Sequence, residues 1–114
     1  MQLNKTVKFA ITLNSRIRKK FGYKVRDFLI SDVCDDIEKQ SFATHFTAYN
    51  YFNLKIIFEY ENVCCYIMQG DYAMKLKLSQ ELWDFSKFDL FLDELQEELE
   101  LRIPDKFLKK HGWA

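Results

Sequence analysis

The order of apolar and polar residues predicts helices at both ends of the chain and strands between them. From about residue 4 to residue 21, apolar side chains recur every three or four positions, as on one face of a helix. Gly22 follows Lys19, Lys20 and Phe21, which is typical of a helix C-terminus with cations in its last turn. Residues 7–13 also alternate as a strand would, so a strand is the alternative there.

The next segment, residues 25–37, has two interpretations. Helical spacing recurs at Val25, Phe28, Leu29, Val33 and Ile37, which predicts a second helix. Ser31 and Asp32 interrupt this pattern, and a short strand at Phe28–Ile30 is the alternative.

The middle of the chain changes to a period of two. One continuously apolar face consists of Phe52, Leu54, Ile56, Phe58 and Tyr60, which is the pattern of a half-buried strand. Further strands are predicted at Val63–Met68 and Tyr72–Leu78, with a fourth upstream at Phe42–Tyr49. Turns at Glu61-Asn62 and Gln69–Asp71 separate them. Because connections this short allow only antiparallel pairing, we expect an antiparallel meander of about four strands.

The last quarter of the chain is predicted to be helical. An apolar stripe is formed by Phe88, Phe91, Leu92, Leu95 and Leu99, with acids opposite. The helix should end before Pro104, and Asp105–His111 should form one more short helix closed by Gly112. The pattern therefore predicts an α+β fold: an N-terminal helix or two, the meander, and a C-terminal helix packed on the sheet. With 114 residues, we expect a single domain covering residues 1–114.

Charge is distributed unevenly, although the formal net charge is zero. Residues 1–28 carry eight basic side chains and one acid, residues 29–100 carry fifteen acids and five lysines, and residues 101–114 carry four bases and one acid. Such polarity either steers a charged partner toward the protein or is cancelled where the basic and acidic segments face each other. The sequence leaves both interpretations open.

The composition points to a cytoplasmic protein. The three cysteines are Cys34, Cys64 and Cys65, an odd number without the spacing of a disulfide framework. No secretion signal is recognisable at the N-terminus, and no apolar run is long enough to span a bilayer. We therefore expect free thiols, a cytoplasmic location and no membrane partner.

No set of side chains has the spacing of a catalytic, metal or cofactor site. A nucleophilic pair of Cys64 or Cys65 with His45 is formally possible, but it requires a base within reach and a third, orienting group. No zinc spacing and no glycine-rich phosphate loop occurs. We expect a protein that is not an enzyme and has no metal, no cofactor and no small-molecule substrate.

A nucleic-acid-binding regulator is the main alternative to a protein-binding function. Residues 16–26 contain six bases, Arg16, Arg18, Lys19, Lys20, Lys24 and Arg26, with Phe21 and Tyr23 among them. Clustered cations suit phosphate contacts, but no nucleic-acid-binding motif accompanies them, and a solvated helix face is the more economical explanation.

The acidic middle of the chain predicts a protein-binding surface. Acids and aromatic residues on the strands, at the turns or just beyond are Tyr49, Tyr51, Glu59, Glu61, Asp71, Tyr72 and Trp83. Charge accelerates the encounter with a basic partner, and buried rings hold the complex. We take these seven residues as the predicted partner-binding site.

Two segments, "ATHFTAYNYFNLKIIFEYENVCCYIMQGDYAMKLKLS" and "FLDELQEELELRIPDKFLKKHGW", cover most of residues 43–113. In their aromatic-rich strands, their Gly70-Asp71 turn and their ending, they resemble the small bacterial immunity proteins of contact-dependent growth inhibition. The resemblance implies a cytoplasmic inhibitor that binds the C-terminal toxin domain of a cognate protein, often a nuclease with a basic surface.

Overall fold

The computed structural model describes residues 5–34, 40–59, 62–78, 85–110 and 112. The elements within these ranges are helix α1 (Lys5–Phe21), strands β1 (Val25–Cys34), β2 (Ser41–Ala48), β3 (Phe52–Glu59), β4 (Asn62–Gln69) and β5 (Tyr72–Lys75), and helices α2 (Phe85–Leu101) and α3 (Asp105–Lys110). A 3-10 turn at Gly22–Lys24 connects α1 to β1. The fold is α+β, as the sequence predicts.

The five strands form one antiparallel sheet in the order β1-β2-β3-β4-β5, each paired with the next along the chain. The connections are short where the sequence places turns. Gly70, at φ 58, stands in the turn between β4 and β5, where glycine accepts a positive φ without steric cost. The predicted meander is confirmed, with five strands in place of about four.

The additional strand is β1, where the apolar spacing predicted a second helix. Its pairing with β2 is irregular at two places, and Asp27 and Asp32 lie at these places with φ of 60 and 54. Each irregularity is a β-bulge, which inserts one residue and breaks the period of two. Phe28 and Ile30 pack on the core, but the first bulge means that they do not follow Val25 at intervals of two residues. The helix prediction was wrong here and the strand alternative was right; residue 37 of the helical pattern lies outside the described residues.

One face of the sheet carries the core. Its buried side chains come in cross-strand rows: Phe42, Phe58 and Val63; Thr44, Ile56 and Cys65; Phe46, Leu54 and Ile67. The helices add Ala10, Leu13 and Ile17 from α1, Phe88, Phe91, Leu92, Leu95 and Leu99 from α2, and Leu108 from α3 to the same cluster. All three helices therefore pack on this inner face of the sheet.

A buried hydrogen bond fixes α1 against the sheet. The Thr44 hydroxyl of β2 donates to the Asn14 side-chain oxygen of α1 at 2.7 Å, and the two residues are 0% and 5% exposed. Because a buried polar group without a partner is costly, each side chain requires the other. This contact sets where α1 lies along β2.

The C-terminal region agrees with the sequence prediction. Helix α2 ends at Leu101, before Pro104, and α3 occupies most of the predicted short helix. Gly112, at φ 71, donates its N–H to the Lys109 carbonyl at 3.1 Å. Among the described residues, no helix has both the length and the apolar composition needed to cross a membrane.

Candidate protein-binding surfaces

Tyr49 does not lie on the surface, and its prediction as a contact residue was wrong. Its side chain is 0% exposed, and its ring packs edge-on against Phe21 with the ring centroids 6.3 Å apart. The hydroxyl donates to Glu100 Oε2 of α2 at 2.9 Å, and Lys24 Nζ lies 5.7 Å from the ring centroid. Tyr49 therefore ties the β2–β3 turn to helices α1 and α2.

The surroundings of Tyr49 stabilise its neutral form. Burial raises the pKa of its hydroxyl above the usual 10.0, and the hydrogen bond and negative charge of Glu100 raise it further. Desolvation and a neighbouring negative charge both disfavour a phenolate. The hydroxyl is thus a hydrogen-bond donor that holds Glu100 in position.

The remaining described residues of the predicted site are exposed, but they do not form one surface. Tyr51, Asp71 and Tyr72 lie at the end of the sheet where β3 begins and β4 ends. Glu59 pairs with Asn62 at the other end, about 23 Å away at the usual rise of a strand. Glu59 therefore lies at the opposite end of β3 from the exposed tyrosines.

Two residues of the predicted site, Glu61 and Trp83, lie outside the described residues. The prediction for them is therefore neither confirmed nor contradicted.

An acidic groove lies at the C-terminal end of α2. Gln96, Glu97, Glu100 and Leu101 line a groove of about 520 Å³, and we call these four residues the acidic groove. Glu97 is exposed, and Leu101 is 79% exposed. Because an acid beside an exposed leucine offers both charge and apolar area, the groove suits a basic protein partner.

The β2–β3 turn reaches the same end of the molecule. Tyr49 is hydrogen bonded to Glu100 in the groove, and the ring of Tyr51 contacts Phe107 of α3 with centroids 5.0 Å apart. Tyr51 is still 46% exposed. Of the predicted contact residues, Tyr49 is therefore bonded directly to the acidic groove, and the exposed Tyr51 lies beside it in the same turn.

The basic and acidic helices face each other, as one interpretation of the charge distribution predicts. Arg16 and Lys20, one turn apart in α1, pair with Asp89 and Asp93, one turn apart in α2. The Arg16–Asp89 distance is 3.6 Å, and Lys20 forms both an ion pair and a hydrogen bond with Asp93. Because both pairs keep the same order along the chain, α1 and α2 run side by side in the same direction.

Other cations of the basic segment also have contacts. The Arg18 guanidinium lies 4.4 Å from the centroid of the Phe28 ring, and Arg26 Nε lies 3.6 Å from the Asp27 carboxylate. Lys24 lies against the ring of Tyr49. Since most cations of residues 16–26 contact an acid or a ring, the structure offers less unpaired positive charge to phosphates than the sequence suggested.

The opposite face of the sheet forms a second surface. The buried apolar side chains of α1, α2 and α3 belong to the inner core, so no described helix covers this face. It consists of Leu29, Ser31, Ala43, His45, Thr47, Asn53, Lys55, Ile57, Glu59, Cys64, Tyr66, Met68, Ala73 and Lys75; we call it the open face. Ile57, Cys64, Tyr66 and Met68 are half-buried and lie outside the core cluster. These four side chains make the open face a candidate interaction surface.

A polar cluster links β1, β2 and β3 on the open face. Ser31 Oγ lies 2.9 Å from His45 Nε2 and 3.4 Å from Asp32 Oδ2, and Lys55 Nζ lies 3.9 Å from Asp32 Oδ2. Burial and, next, the charge of Lys55 lower the pKa of His45, while Asp32 opposes them. The Ser31 hydroxyl donates to Asp32 and also lies within hydrogen-bond distance of His45, so the cluster joins the three strands.

Cys65 does not form the nucleophilic pair with His45 that the sequence allowed. Cys65 belongs to the inner face, and burial raises the pKa of its thiol, which leaves it protonated. His45 lies on the open face, two strands away from Cys64. Within the described residues, no group of three or more His, Cys, Asp or Glu side chains is arranged to hold a metal ion.

Sequence reasoning missed the acidic groove, although a signal for it was present. The apolar stripe of α2 fixes which side of the helix faces the sheet, and Leu101 falls off that stripe, two residues after Leu99. A leucine on the polar side of an amphipathic helix, next to acids, is a sign of an exposed contact.

Comparisons of the chain with protein-family models, with curated proteins and with solved structures found no match.

Proposed function

We propose that this protein is an immunity-type inhibitor, a cytoplasmic protein that binds and neutralises a cognate bacterial toxin domain. The resemblance of residues 43–113 to immunity proteins of contact-dependent growth inhibition first suggests it. The acidic groove is the observation that carries the proposal, because it offers negative charge and exposed apolar area at one place.

The groove suits a basic toxin surface such as the phosphate-binding surface of a nuclease. Glu97 supplies exposed charge at its rim, which accelerates encounter with a cationic partner. Leu101 and Tyr51 supply apolar and aromatic area whose burial slows dissociation. Occupying the basic surface would keep a toxin from its own polyanionic substrate.

Tyr49 contributes by positioning one carboxylate of the groove. Its hydroxyl donates to Glu100 Oε2 at 2.9 Å, and the buried ring restricts where that hydroxyl points. A carboxylate that is held before binding loses less conformational entropy on binding. The inhibitor thus presents a partly preorganised anionic site.

The test uses the C-terminal domain of a large secreted protein encoded directly upstream of this chain. The domain is expressed with and without this protein, and growth of the host is measured. Association of the purified pair is then followed at low and high salt. The proposal expects growth rescue and a tight complex with one inhibitor chain per toxin domain; a folded domain that neither binds nor is neutralised would refute it.

Two variants with equal charge change locate the site. Glu97→Lys should slow association about tenfold at low salt and less at high salt, because it reverses a rim charge. Glu59→Lys changes the net charge equally but lies at the other end of β3 from the β2–β3 turn, so it should leave association within about twofold. If both variants slow association equally, the groove is not the docking site.

Salt-sensitive RNA or DNA binding by the protein would instead favour the nucleic-acid alternative.

A further inference from the structure

Strand β3 carries a charge pattern on the open face that is complementary to itself. Its side chains there include Lys55, Ile57 and Glu59 in that order, so a cation and an anion flank a central apolar residue. Lys55 and Glu59 are about 13 Å apart at the usual rise of a strand. Turned end for end, the same strand places an anion opposite each cation.

The neighbouring strands extend this pattern into rows across the sheet. Ile57 shares its row with Ser31, Ala43 and Cys64, and this row is apolar apart from Ser31 at its β1 end. The next row on one side contains Lys55 between His45 and Tyr66, with Lys75 beyond on β5. The row on the other side contains Glu59. The open face thus changes from acidic, through apolar, to basic along the strand direction.

We propose that the open face is the interface of a symmetric homodimer. A two-fold axis along this row places Ile57 and Cys64 opposite their own copies, beside Ala43, which its own chain already buries. The same rotation places Glu59 of each chain opposite Lys55 of the other. Two-fold interfaces of this kind require a self-complementary patch, and the three rows supply one.

The exposure of the individual side chains agrees with this arrangement. Ile57 and Cys64 are half-buried in the single chain and lie outside its core, so a second copy would remove further apolar area from water. Glu59 is exposed and has no ion-pair partner within the described ranges. Lys55 is 3.9 Å from Asp32, whose side chain is 73% exposed, a weak pair that leaves the ammonium available to a second carboxylate.

The size of the face predicts the strength of the dimer. Five strands spaced about 4.8 Å apart and three row steps of about 6.6 Å give a planar area of roughly 400 Å² per copy. Over both copies this is about 800 Å², which is below the roughly 1,200 Å² of the smallest standard interfaces and in the range of weak, transient ones. We therefore expect a dimer that dissociates on dilution in the micromolar range.

A charge exchange tests the proposal by sedimentation over a range of protein concentrations. Lys55→Glu and Glu59→Lys should each weaken the dimer about tenfold, because each places like charges at two symmetric positions. The double variant Lys55→Glu/Glu59→Lys exchanges the charges and should restore the dimer. Thermal unfolding shows that each variant is folded. A wild-type chain that remains monomeric at several hundred micromolar, or a double variant as weak as the singles, would overturn the proposal.

Crosslinking at Cys64 tests the position of the axis. Opposed backbones of two packed sheets are about 10 Å apart, too far for a disulfide, so a short bis-maleimide is the reagent. In a Cys34→Ser background, which removes the exposed thiol, the dimer geometry predicts a covalent dimer that Cys64→Ser abolishes. A dimer by sedimentation that does not crosslink through Cys64 would contradict this axis.

The dimer does not depend on the proposed inhibitor function. The acidic groove belongs to α2, which packs on the inner face, whereas the dimer uses the open face. The charge-exchange variants affect self-association in the absence of any toxin, so failure of one proposal leaves the other standing.

Discussion

Replacing Tyr49 by phenylalanine removes one hydroxyl from the centre of the fold and leaves the ring. The lost contacts include the 2.9 Å hydrogen bond to the Glu100 carboxylate and a hydrogen bond with Gln96. A hydrogen bond to a charged group contributes about 1.5–3 kcal/mol, but Glu100 is only half-buried and regains water. We therefore expect Tyr49→Phe to lower the free energy of unfolding at pH 7 by about 1–2 kcal/mol. For a chain of this size, Tm should fall by about 4–8 °C.

The difference in free energy of unfolding between Tyr49→Phe and the wild type should become smaller at high pH. The folded state raises the pKa of Tyr49 above its unfolded value of 10.0, so the stability from this group is present below pH 10 and declines as pH rises beyond it. At pH 11, ionisation of Tyr49 in the unfolded wild type costs about 1.4 kcal/mol of stability. Phenylalanine has no such loss, so the difference between the two proteins should nearly close.

Urea unfolding at pH 7, 9, 10 and 11 measures this difference directly. The other tyrosines are the same in both proteins and cancel in the comparison. Tyr51→Phe is the matched control: its side chain is 46% exposed, and it should change stability by less than about 0.5 kcal/mol at every pH. A Tyr49→Phe deficit that is absent at pH 7, or that stays constant up to pH 11, would refute the assigned role of the hydroxyl.

Two further predictions concern other contacts. Asn14→Ala should cost about 1–3 kcal/mol, because it leaves the buried Thr44 hydroxyl without its partner; adding Thr44→Val should recover part of this in a double-mutant cycle of urea midpoints, and strictly additive effects would contradict the contact. For His45, the folded state lowers the pKa from 6.5, so its contribution to stability is present above pH 6.5 and is lost as pH falls below it. His45→Gln should flatten the stability profile between pH 7 and 5, whereas an unchanged slope would show that other groups cause it.

The sequence was sufficient to predict the regular parts of the fold. Strand β3 alternates cleanly because one side faces the core and the other does not, and the apolar stripe of α2 follows from the same requirement on a helix. Pro104 and Gly112 mark helix ends by local sterics alone. These features depend on neighbouring residues, so periodicity is enough to find them.

Strand β1 shows where periodicity fails. Its two bulges, at Asp27 and Asp32, each add one residue to the strand, so the apolar positions fall three apart at one step and two apart at the next. The step of three, from Val25 to Phe28, also occurs on one face of a helix, whereas the step of two does not. The bulges are set by pairing with β2, a contact between distant parts of the chain that local spacing does not record.

Tyr49 shows why candidate contact residues were hard to choose. An aromatic residue beside an asparagine, just after a strand, is typical of an exposed turn. Tyr49 and Asn50 do form that turn, with φ of 58 and 52, but the tyrosine ring fills space between the turn and Phe21. Burial there depends on how the helices cross the end of the sheet, which sequence spacing alone does not determine.

The fold converts the charge distribution of the chain into two separate surfaces. Pairs such as Arg16–Asp89 cancel part of the charge between α1 and α2, while Glu97 stays exposed at the acidic groove on the helical side of the sheet. The open face lies on the other side, so a dimer formed there leaves both grooves accessible. If both proposals hold, the complex contains two inhibitor chains and two toxin domains, and Glu59→Lys divides it into complexes of one chain and one domain without loss of neutralisation. If the wild-type complex instead has the mass of one chain and one toxin domain, the inhibitor functions without forming the dimer.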